Sequence, residues 1–495
     1  FNRQIHVKQN KVYVASTKGI NVYDFLEKNN QLIKHKTLLK NIETLDFDFD
    51  KQNRIWAGTY QKGLFVIDNE KVNKVTLFGR RTKTNTIRSI GFDKDDKALI
   101  ALEGVGLLTM NENFKLVNEI KYNPNNLNSL SQKSIYEVFV DDDNVYWLGL
   151  REVGIDLILP KDNAFKNISY VPYKSNSIPN NYIRSIYFEE GGNVWFGTES
   201  GLSKLSPDGT WTNYNKKSSR LNRPVLTINK YGEHLLLGVY GNGLLQFNTK
   251  TGETLDFPLI EKEKKSKLIF TTYIDENDIW LGGIDGPVKQ YRNNTLVNSY
   301  KTGNARAIVA GNENIVYVGS ANGLFEINKA TKSLKKIENP GVKILDQVYS
   351  LLFDKQNNCL WIGNTQGLLK YNLATNDIKL VNKELNFESG TVFSIQKDVD
   401  ENLWLGSYSG LWKLNTKKTI ISKFDSRDGL TIETFGIGAS TKTSDGRLAF
   451  GGPKGAALFN PLDLQKEKGS FKIYVSEFKV NGVVPDSTML KKNIN

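Results

Sequence analysis

Between residues 182 and 214 apolar and polar side chains alternate in four short runs, each bounded by turn-forming residues. Residues 182–188 read as an inner strand, 189–193 as a turn, 194–198 as a second strand, 202–205 as a third and 211–214 as an outer one. The phrase at their centre, Asn-Val-Trp-Phe-Gly-Thr-Glu-Ser-Gly-Leu at 193–202, recurs along the chain. Aligning every copy on the position of Trp195 gives eleven anchors: Tyr13, Trp56, Leu99, Trp147, Trp195, Leu236, Trp280, Tyr317, Trp361, Trp404 and Ala449. Successive anchors lie 37 to 48 residues apart, the period of four-stranded propeller blades. A four-stranded sheet standing alone leaves both faces wet, so the anchor must pack against a neighbouring unit. The pattern predicts an all-β chain of tandem β-propellers.

Two sets of glycines follow the same period. Gly201 and its counterparts, such as Gly63 and Gly410, close the hairpin after the second strand, where a positive φ is expected. Gly197 and its counterparts, such as Gly363 and Gly406, lie inside that strand and imply close approach by an adjacent chain segment. No helix follows them, so they are not phosphate-binding glycines.

Composition narrows the classes. The chain has 495 residues, 11% aromatics and 41 glycines, more than one hydrophobic core usually supports and a mix that favours strands and turns. No apolar run approaches the roughly 18 residues of a membrane span. The net charge of +13 is spread through turns and strands. The one lysine cluster, Lys262, Lys264, Lys265 and Lys267, is interrupted by Glu261 and Glu263, which fits a basic surface rather than a nucleic-acid groove and leaves an acidic ligand compatible. Cys359 is the only cysteine, and His6, His35 and His234 have no ligand spacing. No metal or other cofactor is expected.

Leu-Trp-Leu-Gly-Ser-Tyr-Ser-Gly-Leu at 403–411, preceded by an acidic turn, resembles the two-component regulator propeller repeats of periplasmic sensors in Bacteroidetes hybrid two-component systems. The segment 471–484 resembles the start of the immunoglobulin-like domain that follows the propellers in that family. The resemblance implies four blades of an incomplete N-terminal propeller over 1–160, a seven-bladed propeller over 161–465, and the opening strands of an immunoglobulin-like β-sandwich over 466–495. The units of Trp147 and Ala449 each meet a proline, Pro160 and Pro461, after their third strand. Residues 165–173 are therefore expected to supply the outer strand of the Ala449 blade and close the second ring. The start at Phe1 suggests an excised segment, with three more blades upstream or an open arc that packs elsewhere.

Candidate chemistry is sparse. Asp93, Asp95 and Asp96, and Asp141, Asp142 and Asp143, could suggest acid and base partners, but they fall in turns that favour Asp for backbone hydrogen bonding. Ser206 to Trp211 resembles a shortened Asp-box but occurs once. No Ser-His-acid set can be placed, so no enzyme is expected. Eleven residues before their anchors stand Arg88, Arg184 and Arg306, with Tyr136 and Phe393 in other units and Tyr349 if one residue is inserted. The second-to-third-strand turns add Arg151, Glu199, Tyr240, Asp285, Tyr408 and Lys454. Arginine can hold a carboxylate or sulfate with two hydrogen bonds and aromatic faces can pack on sugars. The candidate ligand residues are thus Arg184, Arg306, Tyr349, Phe393, Tyr240, Tyr408, Arg88 and Arg151. The alternative is that they pack between blades or pair with turn carboxylates.

The resemblance implies the periplasmic ligand-sensing part of a regulator that detects glycan-derived oligosaccharides, with a lean toward acidic ones. Paired chains, as a homodimer of the full-length sensor, would signal to a kinase, with the membrane spans and DNA-binding output also outside this chain. A rigid scaffold for a protein partner and a carbohydrate-active propeller enzyme are the alternatives.

Overall fold

The computed structural model describes residues 2–464 except 27, 29, 77–84, 125–128, 160–163, 217–218, 260–267, 276–277, 285, 339–345, 386 and 389. The expected opening of a C-terminal sandwich, at 466–495, lies outside the described residues, as does Asp285. Alternating apolar and polar residues between turns form eleven antiparallel sheets, and each expected anchor sits on the second strand of one of them. In the Trp195 sheet the strands are Ile183–Phe188, Val194–Thr198, Gly201–Leu205 and Trp211–Tyr214, hydrogen-bonded in that order. The third begins one residue earlier than expected because Gly201 pairs with Thr198 across a turn at φ +118°.

The acidic turns hold the anchors. Trp56, Trp147, Trp195 and Trp404 each donate the indole N–H to the carboxylate six residues upstream, on Asp50, Asp141, Glu189 and Asp398, at 2.8–3.0 Å. A buried indole N–H needs such an acceptor. Where that place holds Ile274 or Lys355, the Nε1 of Trp280 or Trp361 has no partner among the described residues.

The core lies between sheets. Trp195 packs with Leu221, Val225, Leu237 and Phe247 of the following unit. Gly197 makes this possible, since a Cβ there would strike the Ser185 hydroxyl and the Val225 carbonyl. The same collision, with Ser350 and Val392, awaits a side chain at Gly363. The close approach expected of these glycines is thus made across the sheet-to-sheet interface.

From Ile183–Phe188 onward the inner strands of seven sheets touch in succession. The last of these sheets meets Ile183–Phe188 again through Ser440–Lys442 and Leu448–Gly452, so the contacts form a closed cycle. The sheet of Ala449 takes its outer strand from Phe165–Ile168, paired antiparallel with Gly455–Phe459 from Phe165 opposite Phe459 to Ile168 opposite Ala456. This is the strand exchange expected for 165–173, confined to its first four residues.

The inner strands Asn2–Lys8, Thr44–Phe49, Ile87–Phe92 and Ile135–Val140 form a separate succession of contacts. The sheet of Trp147, at its end, has three strands among the described residues. There Trp147 is 40% exposed, whereas Trp195 is 0% exposed, and Phe139 and Leu157, paired with Trp147 across the sheet, are exposed too.

Candidate functional site

The place eleven residues before an anchor has a structural cause. In the Trp195 sheet Ile183 pairs with Thr198 and Ser185 with Gly197, so Arg184 is an extra residue bulged out of the inner strand. A bulge bends the strand and re-aims the side chain. The same interruption falls at Leu45, Arg88, Tyr136, Leu226, Phe270, Arg306 and Phe393. Tyr349 takes the equivalent place, its N–H on the Gly363 carbonyl at 2.8 Å just before Ser350 pairs with Gly363. Because inner and second strands are antiparallel, each bulge lies at the same end of its sheet as the turn between the second and third strands. The two sets of candidates therefore share one end of the molecule's sheets.

Four of them form a continuous row across three successive sheets. The Arg306 guanidinium lies over the Tyr349 ring at 4.7 Å. Tyr349 meets Phe393 at 5.2 Å between centroids and a 48° tilt, and Phe393 meets Tyr408 at 5.6 Å and 52°. Tyr408, at the tip of its turn, is 70% exposed. Arg306, Tyr349 and Phe393 are half-buried. The row thus offers one cation and three aromatic faces, with its far end open to solvent.

The other candidates are placed differently. Arg184 donates through Nε and Nη2 to Glu199 Oε1 and lies over the Tyr182 ring at 3.9 Å. Arg88 donates to both carboxylate oxygens of Glu103 at 2.9 and 3.0 Å and lies over Tyr136 at 4.8 Å. For these two arginines, pairing with a turn carboxylate is what the structure records. Arg151 pairs with its neighbour Glu152 at 3.3 Å, and Tyr240 is exposed at a turn tip.

Two of the six carboxylates weighed as acid and base partners, Asp93 and Asp141, are tied into their turns. Asp141 accepts the N–H groups of Asp143 and Val145 at 2.9 Å each besides the Trp147 indole. Asp93 accepts the Lys97 N–H at 2.7 Å and the Tyr146 hydroxyl at 3.0 Å. Among the described residues no group of three His, Cys, Asp or Glu is arranged to hold a metal ion.

Sequence reasoning missed a polar chain on the inner strands of the four-sheet succession, buried at Asp46 and Ser89 and exposed at Glu137. Asp46 accepts the Ser89 hydroxyl and the Ile90 N–H, both at 2.8 Å, and the Phe47 N–H at 2.8 Å. Ser89 also lies 3.5 Å from Glu137. Burial pushes the Asp46 carboxyl above its ordinary range, and burial together with the Asp46 charge does the same to Glu137. The signal available was the polar residue on an otherwise apolar inner strand at Asp46, Ser89 and Glu137.

Residues 177–200 match the family model described as two component regulator propeller. A histidine kinase P4 of Formosa agariphila is 24% identical over 329 residues, which is 61% of this chain and 24% of that protein. Among solved structures, one described as the extracellular domain of the hybrid two component system BT3049 of B. thetaiotaomicron superposes over 95% of this chain and 66% of that one, at a TM-score of 0.66 and 22% identity. Another, described as the extracellular domain of the hybrid two component system BT4673 of the same organism, covers 92% of this chain and 64% of that one at a TM-score of 0.53 and 18% identity. These structures share the fold. The chain spans about a quarter of the kinase and under two thirds of the second domain. No helix among the described residues is long and apolar enough to cross a membrane.

Proposed function

We propose that this chain, which carries the two component regulator propeller repeat, is the extracytoplasmic, ligand-sensing part of a hybrid two-component regulator, and that it binds a glycan-derived oligosaccharide. In this reading residues 161–465 form a seven-bladed propeller, 1–160 belong to a neighbouring propeller, and 466–495 open an immunoglobulin-like domain. Binding on the propellers changes how paired chains present themselves to a kinase beyond this segment. The observation that carries the reading is the row from Arg306 through Tyr349 and Phe393 to Tyr408. Aromatic faces at such spacing suit the C–H faces of successive sugar rings, and a guanidinium supplies directional hydrogen bonds to their oxygens. A sensor needs binding without turnover, and Asp141, one of the carboxylates that could suggest acid and base chemistry, is engaged by backbone and indole N–H groups.

The test is a thermal-shift screen of the purified chain against oligosaccharides released from diverse glycans, followed by chromatography of the bound sugar. The sensor reading expects a raised melting temperature and intact sugar on recovery. Cleavage products would identify an enzyme instead. Capture of a protein with no response to any sugar would favour the scaffold.

A further inference from the structure

Three arginines stand at the same bulged place, and two of them are already neutralised. Arg88 is held by Glu103 and Arg184 by Glu199, and each glutamate lies four residues after its anchor, Leu99 or Trp195. Four residues after Tyr317, the same place holds Ala321. Among the described residues Arg306 makes no hydrogen bond or ion pair, and its guanidinium lies over the Tyr349 ring at 4.7 Å. Stacking on a ring fixes the guanidinium plane while leaving its N–H edge available for a bidentate acceptor. A half-buried cation stacked on a ring, with no counter-ion among the described residues where its two counterparts have one, is a preformed anion position.

We infer that Arg306 is the charge-recognising end of the row, and that the oligosaccharide it takes carries a carboxylate or sulfate group. This inference rests on the oligosaccharide reading above. The rings of Tyr349, Phe393 and Tyr408 run away from the guanidinium at steps of 5.2 and 5.6 Å. Sugar rings laid along these aromatics bring an acidic substituent at one end of the ligand to Arg306. The protein's net charge of +13 draws an anionic ligand from a distance, whereas discrimination falls to this one side chain. Arg88 and Arg184 do not compete for the anion, because binding there requires displacing a glutamate.

The experiment is an array of uronate-bearing, sulfated and neutral oligosaccharides probed with the wild-type chain, Arg306→Gln, Ala321→Glu and Phe393→Ala, with the melting temperature of each measured alongside. Ala321→Glu supplies the neutralising partner found at the other two arginines. Wild type is expected to bind acidic members, and both Arg306→Gln and Ala321→Glu to weaken that binding by about tenfold or more without a change in melting temperature, the loss of a charge-assisted bidentate pair. Preference for uronate or for sulfated members identifies the anion. Acidic binding indifferent to both variants overturns the inference. Neutral oligosaccharides bound by wild type and by Arg306→Gln, but lost in Phe393→Ala, overturn it while preserving the oligosaccharide reading. No binding to any member overturns both.

Discussion

The anchor tryptophans separate folding from exposure at the scale of single residues. Trp195 is fully covered by the next sheet, whereas Trp147 is 40% exposed although its indole makes the same bond to a turn carboxylate. Trp195→Ala should cost about 3–5 kcal/mol by chemical denaturation, the range for emptying a packed aromatic site. Trp147→Ala should cost about 1 kcal/mol, since less burial is lost. Equal losses would show that something covers Trp147 in solution. The polar chain of Asp46, Ser89 and Glu137 adds a pH dependence with a definite sign. Because the folded carboxyls titrate above their unfolded values, the unfolded chain releases its protons first as pH rises. Their stability contribution is therefore complete below the ordinary carboxylate range, about pH 4, and declines as pH climbs through the raised values. Asp46→Asn with Glu137→Gln should flatten the decline in melting temperature as pH rises above the ordinary carboxylate range, measured by calorimetry at several pH values. An unchanged slope would mean that these groups are not the ones titrating.

Among the elements, the strand that closes the seven-sheet cycle matters most. Phe165 is 2% exposed and packs on Phe459 at 5.0 Å, and the Asn167 side chain donates to the Gly429 carbonyl at 2.9 Å and accepts the Thr431 N–H at 3.1 Å. Deleting residues 163–174 should lower the thermal transition of these seven sheets, because it opens an edge and empties an aromatic cluster. An unchanged transition would contradict the closure. Strands and turns were legible in the sequence because side-chain alternation and turn residues are local signals, and the exchange was legible because the units of Trp147 and Ala449 each meet a proline after their third strand. The bulges were not. An extra residue in an inner strand breaks the alternation at one position only, and its register shift shows only against the partner strand. Tyr349 carries a separate trace: Trp361 pairs with Leu352, nine residues back, while Trp195 pairs with Tyr187, eight back, so the offset lies in the intervening turn.

At the scale of the whole molecule, the repeat places one bulged side chain and one hairpin turn per sheet at a common end, and the differences between repeats make the surface. That Arg306, Tyr349, Phe393 and Tyr408 could be neighbours was readable from the order of the units. Pairing with a turn carboxylate is the alternative the sequence offers for these arginines, and Arg184 with Glu199 realises it. The covariation of arginine at one place with glutamate fifteen residues later, in Arg88 with Glu103 and Arg184 with Glu199, was the available signal. The central claim is that the row binds sugar. Its most direct test is titration calorimetry of wild type and the Tyr349→Ala, Phe393→Ala double variant with the oligosaccharide that most raises the melting temperature. Removing two stacking faces should weaken binding by about tenfold or more in a variant that still unfolds in one cooperative transition above the assay temperature. Unchanged affinity in the double variant would contradict the account.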